Sequence, residues 1–107
     1  MTRWHRVGAA ADFEEGRVRE VRVGDRRLAV GRAGGALFCV DEACPHAGGS
    51  LARGTLQGGR LVCPVHGFAY DVASGRCEDD VAPVAVHPVR EGDAGVEVAL
   101  PGAGSGR

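Results

Sequence analysis

Two segments, Cys44-Pro45-His46 and Cys63-Pro64-Val65-His66, each combine one thiol with one imidazole side chain. Sixteen residues separate these two clips. Thiolate sulfur and imidazole nitrogen are ligands that zinc and iron prefer in proteins. The proline after each cysteine fixes φ and removes one backbone donor, so each clip begins as a rigid loop. We therefore predict a metal site whose ligands are Cys44, His46, Cys63 and His66.

The order of these residues carries a family resemblance. The pattern Cys-x-His, sixteen residues, Cys-x-x-His, with Gly48 and Gly67 after the histidines, resembles the signature of Rieske [2Fe–2S] proteins. In such centres two histidines replace two cysteines on one of the two irons. The resemblance implies one such cluster, with the two cysteines on one iron and the two histidines on the other.

The resemblance extends beyond the clips, over roughly residues 5–100. It includes the apolar run 36–40 before the first clip, the segment 68–71, and the Ser74-Gly75 turn. Pro83 resembles the loop that closes over the cluster in this family. The resemblance therefore implies a small antiparallel barrel or sandwich with an inserted cluster-binding lobe at about residues 43–68.

Two departures from the family pattern indicate the subgroup. Rieske proteins of respiratory complexes carry a further cysteine in each clip and join the two by a disulfide, whereas Gly49 and Val65 stand at those positions here. Phe68 replaces a serine that donates to the cluster, and Tyr70 retains a phenolic donor. Fewer donors to sulfur lower the reduction potential. The sequence resembles the soluble Rieske ferredoxins, which include ferredoxin components of aromatic-ring dioxygenases and small subunits of nitrite reductases.

Two other uses of the same residues compete with this interpretation. Tetrahedral zinc accepts two cysteines and two histidines, but zinc fingers usually pair like residues and place the histidines on a helix. Two disulfides could use all four cysteines, but they would leave the histidines unexplained. A zinc-stabilised binding module is therefore the rival from a different functional class.

Length and composition predict one domain. The 107 residues match a common domain size, and we expect one Rieske-type domain over residues 1–101. The Gly-rich end of the chain, residues 102–107, is expected to be a disordered tail.

The charge balance does not favour binding to nucleic acid or to a membrane surface. The sequence contains thirteen arginines and fourteen acidic residues, which gives a net charge of −1. The acidic run 78–80 could face a basic partner, but such a run is more often solvated. The N-terminus lacks an apolar signal region, and no segment approaches the ~20 apolar residues of a membrane span. We expect a cytoplasmic protein.

Short alternating segments predict an all-β fold. We expect strands at 17–23, 28–30, 36–40, 60–62, 68–71, 84–90 and 95–100. Turns are predicted at 24–25, 33–35 and 92–93, and a helical turn is predicted at 9–15.

The remaining reactive residues have structural interpretations. Cys39 is expected to be a small buried apolar residue, and a disulfide between Cys39 and Cys77 is not expected in the cytosol. His5 and His87 are interpreted as structural or surface residues. The sequence contains no recognisable catalytic triad, phosphate loop or carboxylate pair, so no catalytic activity of its own is expected.

The sequence thus predicts a one-electron carrier. A flavin-dependent reductase would reduce the cluster, and a terminal oxygenase or reductase would accept the electron at the tip that bears His46 and His66. The alternative is a small electron-transfer subunit held permanently in a nitrite reductase-like enzyme.

Overall fold

The structure, a computed structural model, describes residues 2–45, 49–65, 67–77 and 82–101. These residues form nine β-strands and two 3₁₀ helices. The strands are β1 (Thr2–Gly8), β2 (Val18–Val23), β3 (Arg26–Ala33), β4 (Ala36–Asp41), β5 (Thr55–Gln57), β6 (Arg60–Val62), β7 (Ala69–Asp71), β8 (Val89–Gly92) and β9 (Gly95–Pro101). The 3₁₀ helices are Ala10–Asp12 and Leu51–Arg53. No helix in these ranges has the length and apolar character needed to cross a bilayer.

The strands form three antiparallel sheets of three strands each. The terminal sheet has the order β1-β9-β8, the central sheet has the order β2-β3-β4, and the lobe sheet has the order β5-β6-β7. The lobe sheet is inserted in the chain between β4 and β8, and it holds the second clip between β6 and β7. The predicted all-β antiparallel fold with an inserted lobe is confirmed.

The central sheet is buried on both faces because side chains alternate along its strands. On one face Leu28, Val30 and Cys39 pack against Val96 and Val98 of the terminal sheet. The opposite face forms a second core with the two clips and the lobe sheet. Its members include Ala29, Phe38, Val40, Cys44, Leu51, Leu61, Cys63 and Tyr70. One face of the central sheet therefore packs against both clips.

The predicted turns are present, and one is held by a carboxylate. Gly34 and Gly35 have φ of 63° and 83°, a region that favours glycine. Their amides each donate to the Glu15 carboxylate at 2.7 Å. This interaction fixes the β3–β4 hairpin that leads into the first clip.

The structure differs from the expected strand list in three places. Strands β1 and β5 were not predicted, because polar residues and glycines mask their alternation. The segment 84–90 was expected to be one strand, but β8 begins only at Val89. Before β8, the backbone of Val84, Ala85 and His87 forms hydrogen bonds with Gly75, Asp41 and Cys39, respectively. Pro88 has no amide hydrogen, so it cannot donate the next hydrogen bond of a strand. The helical turn expected at 9–15 is confirmed as Ala10–Asp12.

Replacing Gly31 by alanine is expected to destabilise the fold. An added Cβ would overlap the Arg17 carbonyl oxygen and would lie 2.7 Å from the Phe38 ring. Overpacking of this kind costs about 1–3 kcal/mol. The matched control is Gly92→Ala, because nothing lies within 4 Å of a Cβ at Gly92. Thermal unfolding followed by circular dichroism should show a lower midpoint only for Gly31→Ala, and equal midpoints would contradict this packing.

Candidate metal centre

Both clips are closed by the same backbone hydrogen bond. The Cys44 amide donates to the Gly49 carbonyl at 2.8 Å, and the Cys63 amide donates to the Phe68 carbonyl at 2.8 Å. In each clip the cysteine precedes its acceptor by five residues. In the second clip Gly67, with φ of 76°, donates to the Cys63 carbonyl at 2.9 Å. Each cysteine therefore begins a tight loop of defined shape.

The ends of strands position these loops. The first clip follows β4 and returns through a bridge between Ala43 and Ser50. The Leu51 amide then donates to the Glu42 carbonyl at 2.7 Å. The second clip follows directly after β6 and leads into β7. Hydrogen-bonded backbone therefore holds both ends of each loop: β6 and β7 flank the second clip, whereas the first clip lies between β4 and the 3₁₀ helix Leu51–Arg53.

The two cysteines predicted to bind metal are buried in one core. Cys44 is 2% exposed and Cys63 is fully buried, and both belong to the core beneath the lobe. No disulfide joins any of the four cysteines, all of which lie in the described ranges. The two-disulfide alternative is therefore not found, and the buried thiols fit the donor set of an iron–sulfur cluster.

Gly49 brings the two clips together. A Cβ built on Gly49 would overlap Val65 Cγ2 and would lie 3.2 Å from Cys63 Sγ. Only a residue without a side chain allows the first clip to approach the second this closely. Positions 49 and 65 therefore face each other, as expected for the positions that carry the disulfide in respiratory Rieske proteins.

Tyr70 contacts one of the candidate ligands. Its hydroxyl lies 3.2 Å from Cys44 Sγ, and its side chain is 1% exposed. Burial and then the hydrogen bond with Cys44 raise the pKa of the Tyr70 phenol above its usual range. A metal-bound thiolate can only accept, so Tyr70 is the donor to Cys44 when a metal is bound. The phenolic donor expected from the sequence is thus next to a cysteine sulfur.

The segment around Pro83 packs on the Ser74-Gly75 turn. The Val84 amide donates to the Gly75 carbonyl at 2.9 Å, and a Cβ on Gly75 would overlap the Val84 carbonyl oxygen. Val84 is buried in the same core as the cysteines, whereas Ala82 and Pro83 are exposed. The turn therefore anchors the segment that was expected to close over the cluster.

Several predicted residues lie outside the described ranges. His46, His66 and the acidic run 78–80 are among them. Within the described ranges, no group of three or more candidate metal ligands is found. The structure therefore places two of the four predicted ligands, and the assignment of the two histidines stays a prediction.

Cys39, Cys77, His5 and His87 lie outside the two clips, and no role was predicted for Cys77. Cys39 is fully buried, and burial raises the pKa of its thiol to about 12. His87 Nε2 lies 2.8 Å from Asp41 Oδ1, and His5 lies on β1 opposite Val98. Cys77 forms an isolated antiparallel β-bridge with Tyr70, and its partly buried side chain packs against the core. This position of Cys77 could not be predicted, because its backbone partner Tyr70 lies seven residues earlier, across an irregular turn.

Two apolar residues lie beside the cysteines and differ in exposure. Leu51 is fully buried in the core that contains Cys44 and Cys63. Val65 is 51% exposed, so it presents an apolar surface to solvent as well as covering Gly49.

Cysteines at positions 49 and 65 are expected to form a disulfide across the clips. The Cβ atoms of these positions would lie 3.4 Å apart, near the range of about 3.5–4.5 Å found in disulfides. After oxidation, thiol titration of the denatured double variant Gly49→Cys/Val65→Cys should show two fewer thiols than its reduced form. The single variants are the controls, and an unchanged thiol count in the double variant would contradict this facing geometry.

Comparison with known proteins identifies the family. Residues 3–90 match the Rieske [2Fe-2S] domain. Over 73 residues the chain is 42% identical to Ferredoxin CarAc of Metapseudomonas resinovorans, a match that covers 67% of this chain and 68% of the relative.

Two solved structures share the whole fold. One is a chain in the complex of reduced oxygenase and oxidised ferredoxin of carbazole 1,9a-dioxygenase, with a TM-score of 0.82 and 37% identity over 90% of this chain and 92% of that chain. The other is described as an NADH-dependent nitrite reductase small subunit from Mycobacterium tuberculosis, with a TM-score of 0.83 and 26% identity over 94% of this chain and 97% of that chain.

These matches confirm the predicted family and the predicted cofactor. The cofactor is one Rieske-type [2Fe–2S] cluster, and the role of the protein is that of an electron carrier. The buried Cys44 and Cys63, the close approach at Gly49 and the Tyr70 hydroxyl all fit such a cluster. The chain belongs to the Rieske [2Fe–2S] domain family.

Proposed function

We propose that this chain passes single electrons from a flavin-dependent reductase to a terminal oxygenase or a similar acceptor. The observation that carries this proposal is the 37% identity, over nearly the whole chain, to a chain of a ferredoxin–oxygenase complex. A bound cluster would supply one-electron chemistry, and the protein would supply its position, its surroundings and a docking surface.

The proposed ligands are Cys44 and Cys63 on one iron, and His46 and His66 on the other. The two closed clips support this set, because each one begins at a buried cysteine and contains one histidine in sequence. Neutral histidines in place of thiolates reduce the negative charge of the centre, which makes reduction easier. The lowest reduction potentials of Rieske centres are about −150 mV, whereas plant-type ferredoxins have reduction potentials of about −400 mV. At about 59 mV per tenfold change, this difference corresponds to roughly 6 kcal/mol.

The proposed docking surface is the tip of the two clips. Pro45, Pro64 and Val65 are exposed there, whereas the cysteine sulfurs behind them are buried. Apolar groups of this kind suit a transient contact from which water is excluded. The histidines of the same clips would then lie between the cluster and the partner, which shortens the path of the electron.

A permanent subunit is the second candidate function. It is favoured by the fold match and 26% identity to the nitrite reductase small subunit. In that case the same tip would form a stable interface. Size-exclusion chromatography with candidate partners distinguishes the two, because a carrier stays separate and a subunit elutes in the complex.

We also propose a cytoplasmic location and a single domain over residues 1–101. Residues 102–107, which were expected to form a tail, lie outside the described residues. The four cysteines without disulfides and the family match over residues 3–90 support these two assignments. Reduced thiols are usual in the cytoplasm.

An electron titration tests the proposed function. The purified holoprotein is reduced anaerobically by a flavin-dependent reductase with NADH, and it is then mixed with an oxygenase of the carbazole dioxygenase type. The proposal expects one electron taken up per two irons and its transfer to the oxygenase. A colourless, zinc-containing protein, or a cluster that the reductase cannot reduce, would overturn it.

Replacing Tyr70 by phenylalanine is expected to lower the reduction potential. The phenol donates to Cys44 Sγ, and such a bond stabilises the more negative reduced state. A difference of about 1 kcal/mol for one hydrogen bond corresponds to a shift on the order of 40 mV. Spectroelectrochemistry measures the shift, with Trp4→Phe on the terminal sheet as the control. Equal potentials in Tyr70→Phe and the wild type would contradict the role of this donor.

A further inference from the structure

Two arginines lie on the face of the β2–β3 hairpin that adjoins the first clip, and a third lies on the 3₁₀ helix that contacts this hairpin. Arg22 and Arg27 are directly opposite each other in the register of β2 and β3. Arg53 ends the 3₁₀ helix Leu51–Arg53, which contacts both strands. We call Arg22, Arg27 and Arg53 the arginine face.

The register shows on which side of the central sheet these residues lie. Residues that face each other in an antiparallel pair share one face, and alternate residues along a strand share it too. Ala29, two residues after Arg27, belongs to the core that contains Cys44 and Leu51. Arg22 and Arg27 therefore lie on the face that supports the clips, and not on the face that packs against the terminal sheet.

Backbone bonds connect this face to the first clip. The Glu42 amide donates to the Arg27 carbonyl at 3.1 Å, and the Leu51 amide donates to the Glu42 carbonyl at 2.7 Å. Cys44 is only two residues after Glu42. The arginine face thus adjoins the base of the first clip, whose far end belongs to the proposed docking tip.

The charge of this face is largely uncompensated. Arg27 has a weak ion pair with Glu20 at 3.8 Å. Among the described residues, no ion pair or hydrogen bond reaches the side chain of Arg22 or Arg53. Several other arginines are paired, for example Arg26 with Asp41 and Arg90 with Glu97. Two like charges directly opposite each other in a sheet are destabilising. The pairing of Arg22 with Arg27 therefore does not stabilise the fold.

We propose that the arginine face binds an acidic surface on the redox partner and orients the clip tip against it. This inference rests on the proposed function, because it concerns the same docking event. Arginine forms two-pronged bonds with carboxylates, and a like-charged patch beside a docking site steers an oppositely charged partner. The partner is therefore a protein with a carboxylate-rich patch beside its electron-exchange site.

Electron transfer to two cytochromes tests this proposal. The reduced holoprotein is mixed in a stopped-flow instrument with cytochrome b5, which has an acidic surface, or with cytochrome c, which has a basic one. Arg22→Glu and Arg53→Glu are compared with Arg3→Glu, a control of equal charge change on β1 of the terminal sheet. The rates are measured at about 0.01 M ionic strength, where the Debye length is ~30 Å. There each test variant should reduce cytochrome b5 at least about threefold more slowly than Arg3→Glu does.

The same variants should not slow the reduction of cytochrome c, and at about 1 M salt all rates should converge on the wild-type rate. Rates for Arg22→Glu and Arg53→Glu equal to those of Arg3→Glu would overturn the proposal. Arg22→Gln and Arg53→Gln replace the charge reversals if these lower the cluster content, which is measured first by visible absorption. A wild-type protein that reduces neither cytochrome would instead contradict the proposed function itself.

Discussion

The close approach of the two clips is the constraint on which the rest of the structure depends. The backbone at Gly49 lies so near to Cys63 and Val65 that no side chain fits between them. This contact brings together loops that are distant in sequence, and each loop is separately closed by a bond from its own cysteine amide. Local closure gives each loop its shape, and the glycine contact sets the distance between the loops.

The central sheet holds this arrangement because both of its faces are covered. Leu28 and Val30 face the terminal sheet, and Ala29 between them faces the clips. The end of β4 leads directly into the first clip, so burial of the sheet also fixes the start of that loop. A domain of this size buries only about two thirds of its unfolded surface. The cluster is therefore expected to contribute to folding as well as to function.

Much of the site could be predicted from the sequence, because its chemistry depends on a few residue types at short spacing. The sequence singled out Cys44, Cys63 and Tyr70, and the structure buries all three in one core, with the Tyr70 hydroxyl beside Cys44 Sγ. The resemblance matched Gly49 and Val65 to paired positions, and in the structure they are in contact. The assignment of Cys44, His46, Cys63 and His66 as the ligands stays a prediction. The long-range elements were harder to predict. Strand β1 lies beside β9, at the other end of the chain, and its charged residues hide the alternation that a strand normally shows.

The central claim is that two histidines bind one iron and two cysteines bind the other. Pulsed electron paramagnetic resonance of the reduced protein, labelled with ¹⁵N-histidine, tests it most directly. The chain has four histidines, so His5→Gln and His87→Gln serve as controls. The account predicts nitrogen couplings from two imidazoles that persist in both controls and are altered when His46 or His66 is replaced. The absence of nitrogen coupling, or its loss in the His87 variant, would contradict it.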